Sequence, residues 1–158
     1  MGFDSRLQRD IMGRFATGVT VVTTRYKNGE VTGMTANAVM SLSLDPALVV
    51  VSVDKGATMH GALMDGQGYV INILARDQEH LSNRFAIPGP KNFSDLDVTM
   101  APSGAPILSG TLGFLDCKLI SALPAGDHDM FVGEIQDGHV REGAPLLYFE
   151  GRYRSIGE

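Results

Sequence analysis

Residues 19–36 read VTVVTTRYKNGEVTGMTA, and this stretch decides what kind of fold the chain can adopt. Val19 to Thr24 is almost entirely β-branched, which suits a pleated surface better than a helix. Lys27-Asn28-Gly29-Glu30 carries Asn-Gly at its centre, the pair that most readily takes the positive φ angles of a tight hairpin turn. Val31 to Ala36 then returns as a second strand.

Working outward, the same signature recurs. Ala47 to Val53 (ALVVVSV) is nearly all apolar, as a strand buried on both faces should be. Tyr69 to Leu74 (YVINIL) is another strand. Gly110 to Ala122, His128 to Val140 and Leu146 to Tyr153 are three more, separated by Pro124-Ala125-Gly126 and by Glu142-Gly143-Ala144-Pro145. Helical signals are short. Leu7, Ile11, Met12 and Phe15 recur at helical spacing over Ser5 to Phe15, with Ser5 as candidate cap. Gly56 to Met64 is helix-compatible, and Asp77 to Phe85 should stop before Pro88; residues 86–104 are loop-rich. Six or seven strands with two or three short helices predict a mainly β fold, most simply a closed antiparallel barrel. Strands do not alternate with long helices and no Gly-x-Gly-x-x-Gly follows a strand. A doubly wound nicotinamide domain is therefore unsupported, and any nicotinamide must bind another way.

Bulk properties narrow the function. The 158 residues show no repeat and no linker, which predicts one domain over 1–158. Nineteen glycines and seven prolines fit a chain with many tight turns. A net charge of −5 with dispersed Lys and Arg argues against a nucleic-acid partner. No apolar run of about 18 residues offers a membrane span, and MGFDSRLQRDIMGRF lacks the apolar core of a signal peptide. The single Cys117 excludes an internal disulfide and cysteine-based zinc sites, and suits a reducing cytoplasm. Within FLDCKLI it reads as a packed strand residue rather than a nucleophile. His60, His80 and His139 show no metal-ligand spacing. His-Glu-x-x-His, Cys-x-x-Cys, the P-loop and Gly-x-Ser-x-Gly are all absent.

Three segments could carry chemistry. Gly33 to Pro46 (GMTANAVMSLSLDP) packs Thr35, Asn37, Ser41 and Ser43 among small residues that would let a flat ring approach the backbone. Its plain alternative is a polar loop leaving a strand. Ser52 to His60 (SVDKGATMH) leaves a strand for a helix, where Lys55, Thr58 and free N–H groups suit a phosphate. The alternative there is a β–α turn with Thr58 as cap and Lys55 solvated. In Ala125 to Gly133 (AGDHDMFVG), His128 stands between two aspartates at the mouth of a strand. It can orient a ligand, and the carboxylates could raise its pKa; an ordinary surface histidine is the alternative.

Taken in order, these pieces resemble the flavin reductase-like family, with the FMN-binding split-barrel fold and Greek-key antiparallel strands. The resemblance is carried by RFATGVTVVTT at 14–24, GMTANAVMSLSLDPALVVVSV at 33–53 and the Lys55–Thr58 turn. It continues through YVINIL at 69–74, RFA at 84–86, GDHDMFVGEI at 126–135 and PLLYFEGRY at 145–153. It implies that Thr35, Asn37, Ala38 and Ser41 line the isoalloxazine and ribityl chain of FMN or FAD. Ser52, Asp54, Lys55 and Thr58 would lie near the phosphate, and Arg84 and Phe85 near the flavin. His128 would meet the nicotinamide of NADH or NADPH, with Tyr148 and Arg152 as rim contacts. It further implies a homodimer whose pockets are completed by the partner subunit, and an oxygenase served by diffusing reduced flavin.

The implied reaction is NAD(P)H-dependent flavin reduction, in which the cofactors carry the chemistry and the protein aligns two rings. Reduced flavin then leaves for an oxygenase or stays bound. The alternative is a flavin-binding electron carrier, for which Gly126-Asp127-His128 has no evident use. A pyridoxamine-phosphate type oxidase fits less well, because no arginine-rich phosphate pocket is visible.

Overall fold

The computed structural model describes residues 2–157. The first helix, α1 (Ser5–Met12), is capped by Asp4, whose carboxylate accepts from the N–H groups of Arg6 and Leu7. Asp4 caps and Ser5 does not, because the capping side chain stands one residue before the helix. After α1 come β1 (Thr17–Gly18), β2 (Thr20–Arg25), β3 (Val31–Ala36), β4 (Val39–Leu44) and β5 (Ala47–Asp54). Then follow α2 (Thr58–Gly66), β6 (Gly68–Ile73), a 3₁₀ turn at Arg76–Gln78 and α3 (Glu79–Ala86). The remainder is β7 (Val98–Met100), β8 (Pro106–Leu108), β9 (Gly113–Ala125), β10 (His128–Val140), β11 (Leu147–Phe149) and β12 (Arg152–Arg154).

Seven strands form one antiparallel sheet in the order β3-β2-β6-β9-β10-β5-β4. It wraps around a core drawn from β2, β3, β5, β6, β9, β10 and α2, with Val22, Val51, Leu63, Tyr69, Cys117 and Phe131 fully buried. The two outer strands, β3 and β4, are consecutive in the chain yet do not pair. The barrel is therefore split along this seam rather than closed. Asn37-Ala38 bridges the seam, and β4 turns back to pair with β5. A second cluster, with Val21, Leu81, Phe85, Leu108 and Leu146, packs α3 onto the outside of β2.

Two expectations need correction. Residues 39–44, read as a polar loop, form β4; its Ser/Leu/Met alternation hides a strand that is exposed along most of its length. Leu146–Tyr153, read as one strand, is the β11–β12 hairpin. Glu150 and Gly151 take φ of 53° and 71°, the two positive values a type I′ turn requires. The usual Asn-Gly signal is missing, and Glu150 is held instead by its N–H donating to Gly13 O and by ion pairs with Arg14 and Arg154.

Candidate functional site

The β9–β10 hairpin places His128. Ala125 and His128 are paired residues, leaving Gly126-Asp127 as a two-residue loop. Only Gly126 has a positive φ, 67°, the pattern of a type II′ turn with glycine at its first central position. The turn is thus Gly126-Asp127, and Pro124 and Ala125 belong to β9. His128 Nδ1 lies 2.7 Å from Asp127 Oδ1. The hydrogen bond to His128 holds the Asp127 carboxyl below its usual range. An ionised carboxylate can only accept, so His128 Nδ1 carries a proton and donates it to Asp127. Of the two flanking aspartates, only Asp127 reaches this imidazole.

Across the sheet His128 is the partner of Asp54, the last residue of β5. Asp54 Oδ1 accepts from Gly56 N–H at 2.6 Å and Asp54 O from Ala57 N–H at 3.0 Å, a tight turn that delivers the chain into α2. The residue in the capping position is Ala57, which makes no side-chain cap; Thr58 is the first helical residue and not the cap. The Thr58 and Met59 N–H groups meet no capping side chain, and both residues line a hollow of about 280 Å³ with Gly56, Ala57, Phe85 and Lys91. It adjoins a second hollow of about 480 Å³ that shares Thr32, Thr58, Gly89 and Lys91. An uncapped helix start beside a cation fits a phosphate. Among the residues lining these hollows the ammonium is that of Lys91, which donates to Ile87 O and Gly89 O. Desolvation lowers its pKa.

The other expected residues distribute unevenly. Lys55 lies beside α2, but its ammonium donates to Gly126 O at 2.8 Å and lines neither hollow. The Asp54 carboxylate is engaged by the turn it closes. Phe85, on the buried face of α3, has its ring facing Gly33 and Phe93 and one side on the smaller hollow. Arg84 forms a two-pronged ion pair with Asp95 at 2.7 and 2.8 Å. Thr35 donates to Ser82 O at 2.6 Å, leaving its oxygen free to accept. Ser52 is half-buried in β5, and Ala38 is exposed at the seam, where its carbonyl accepts from Ser52 N–H.

Asn37 and Ser41 line an apolar groove of about 480 Å³ with Phe15, Val39, Val49, Ile71 and Ile135. Asn37 also borders a hollow of about 660 Å³ with Arg14, Phe15 and Tyr148. Arg152 is exposed and lines none of these spaces. Sequence reasoning missed Lys91. The only signal was a lone cation in the Pro88-Gly89-Pro90-Lys91 loop, indistinguishable there from a solvated lysine.

Known proteins share this fold. Residues 12–157 match the family described as flavin reductase like domain. FMN reductase (NADH) SmoA of Agrobacterium fabrum is 40% identical over 152 residues, covering 96% of this chain and 86% of that protein. The reductase subunit HsaB of a flavin-dependent monooxygenase from Rhodococcus jostii is 35% identical, over 97% of this chain and 78% of its own. Among solved structures, flavin reductase PheA2 superposes with a TM-score of 0.91 at 42% identity, covering 99% of this chain and 100% of that one. With the match spanning nearly every element of the split barrel, the chain belongs to the flavin reductase-like family.

Proposed function

We propose that this protein reduces FMN or FAD with NADH and supplies the reduced flavin to an oxygenase component. The observation that carries the reading is the contact between two turns. The start of α2, shaped for a phosphate, is tied through Lys55 to the hairpin turn that presents His128. A flavin anchored by its phosphate and a nicotinamide met by His128 are thereby brought to one end of the barrel.

Flavin, when bound, would supply the redox chemistry as the acceptor of a hydride from the nicotinamide. The α2 N–H groups, the Thr58 hydroxyl and Lys91 hold the phosphate. Asn37, Ala38, Ser41 and the accepting oxygen of Thr35 stand along the open seam for the ring and ribityl chain, with Ser52 behind them. His128, held by Asp127 through Nδ1, would present its other ring edge to the nicotinamide. Tyr148 lies at the rim with Asn37. No residue need exchange a proton during hydride transfer, so alignment is the protein's main contribution.

Support for a homodimer comes from β4, where Met40, Leu42 and Leu44 are exposed beside the groove that holds Asn37 and Ser41. A second copy covering this edge would complete the groove. Among the described residues no helix is long and apolar enough to cross a membrane. The buried free thiol of Cys117 and the use of NADH support a cytoplasmic site of action.

Flavin titration of a Lys91→Met variant tests the phosphate assignment. Loss of one charge-assisted contact should weaken FMN binding by about tenfold. Unchanged affinity would remove Lys91 from the site.

A further inference from the structure

Beneath the Gly126-Asp127 turn lies a charged cluster that hydride transfer does not itself require. Asp129 Oδ2 is 2.6 Å from His60 Nε2, and Asp129 Oδ1 is 3.7 Å from Lys55 Nζ. The side chains of Asp129 and His60 are only 16% and 20% exposed. Strand alternation puts Asp129 on the face opposite His128, toward α2. A carboxylate so enclosed is unfavourable unless paired. The hydrogen bond from His60, with Lys55 adding its charge, holds the Asp129 carboxyl below its usual range. The acceptor is therefore ionised and His60 donates through Nε2–H.

Each member is anchored. His60 rises from α2 and sets its ring edge-on to the fully buried Phe131, with centroids 5.3 Å apart. Asp129 is fixed in β10 opposite Val53. Lys55 grips the turn twice: its ammonium donates to Gly126 O at 2.8 Å and its N–H to Asp127 O at 3.0 Å. A hydrogen bond thus joins His60 to Asp129, a looser ion pair at 3.7 Å joins Asp129 to Lys55, and Lys55 holds both carbonyls of the hairpin loop.

We propose that Lys55, His60 and Asp129 are positioning residues that fix the Gly126-Asp127 turn and so determine where His128 stands for the nicotinamide. The proposal rests on the reading of His128 as the residue that meets NADH. It assigns Lys55 to the nicotinamide side of the site and leaves the flavin phosphate to Thr58, the α2 amides and Lys91. Displacement of a positioning group by about 1 Å can cost up to about a hundredfold in rate. Loosening a turn that the sheet still holds should cost less, roughly five- to twentyfold in kcat/KM for NADH.

The test combines Lys55→Met and Asp129→Asn with His128→Ala, alone and together, reading kcat/KM for NADH and flavin Kd separately. The expected result is a loss of NADH efficiency in each single variant with flavin Kd held within about twofold, and no further loss on adding Lys55→Met or Asp129→Asn to His128→Ala. His60→Gln, whose amide can donate to Asp129, should retain efficiency, and His60→Leu should lose it. Amide hydrogen exchange at Gly126–His128 should quicken in Asp129→Asn. A weakened flavin Kd with intact NADH efficiency in Lys55→Met would overturn the proposal, as would losses additive with His128→Ala or unaltered exchange in the turn. In those cases His128→Ala alone still impairs NADH use, and the His128 reading survives. If His128→Ala is without effect, that reading falls and the proposal falls with it.

Discussion

Lys91 brings its ammonium into a half-buried loop, where lost hydration pulls its pKa below the ordinary lysine range. A phosphate held at the start of α2 would favour the charged form, so flavin binding and protonation of Lys91 should reinforce each other. Flavin affinity should therefore fall as pH rises through the lowered pKa of the free protein. Fluorescence titrations at a series of alkaline pH values should show that slope, and Lys91→Met should flatten it. Asp129 supplies the opposite case. Its carboxyl is depressed, so its contribution to stability is present above the unfolded value of about 3.9 and lost as pH falls through the folded one. Denaturation midpoints of wild type and Asp129→Asn should differ at neutral pH and converge as the solution becomes more acidic than about pH 4. A difference that persists at low pH would locate the effect in packing rather than charge. Cys117 joins neither account, since burial pushes its thiol up to about 12. The sequence reading of a packed strand residue agrees with that environment.

The elements differ in how plainly their residues announce them. The hairpin β2–β3 was legible because β-branched runs and Asn28-Gly29 act locally, and β3 begins and ends where expected. The turn beside His128 was legible in composition but displaced by two residues, because Gly126 serves a type II′ loop while Pro124 extends β9. The strand β4 and the Glu150-Gly151 turn were not legible; pairing with β5 and the contacts of Glu150 with Gly13 and Arg14 define them, and these are tertiary. Within β10, Gly133 marks a register shift against β9, and a Cβ there would meet the Tyr69 ring at 2.8 Å and Cys117 Cβ at 2.8 Å. Gly133→Ala should therefore destabilise the barrel by about 1–3 kcal/mol, measurable as a lowered urea midpoint. Gly126→Ala meets open space but must adopt a positive φ, costing about 1–2 kcal/mol in the turn and lowering NADH efficiency with it.

At the scale of the whole molecule, one end of a split barrel collects the α2 start, the Lys91 loop and the His128 turn, while the open seam exposes apolar side chains. Leu44 is 91% exposed and Met40 56%, an arrangement that a second copy would relieve. Sedimentation should give twice the chain mass, and a Met40→Asp, Leu42→Asp double variant should shift the protein toward monomer with weaker flavin binding. A wild-type monomer that binds flavin fully would remove the partner subunit from the site. The sequence carries no Rossmann fingerprint, and the proposed plan has NADH meet the flavin directly beside His128. The most direct test of that plan is anaerobic stopped-flow mixing of the flavin-loaded protein with NADH deuterated at C4. Flavin absorbance should bleach in a single turnover, at a rate that saturates with NADH and slows with the deuterated position. A yellow protein that holds its flavin oxidised while NADH remains unconsumed would contradict it.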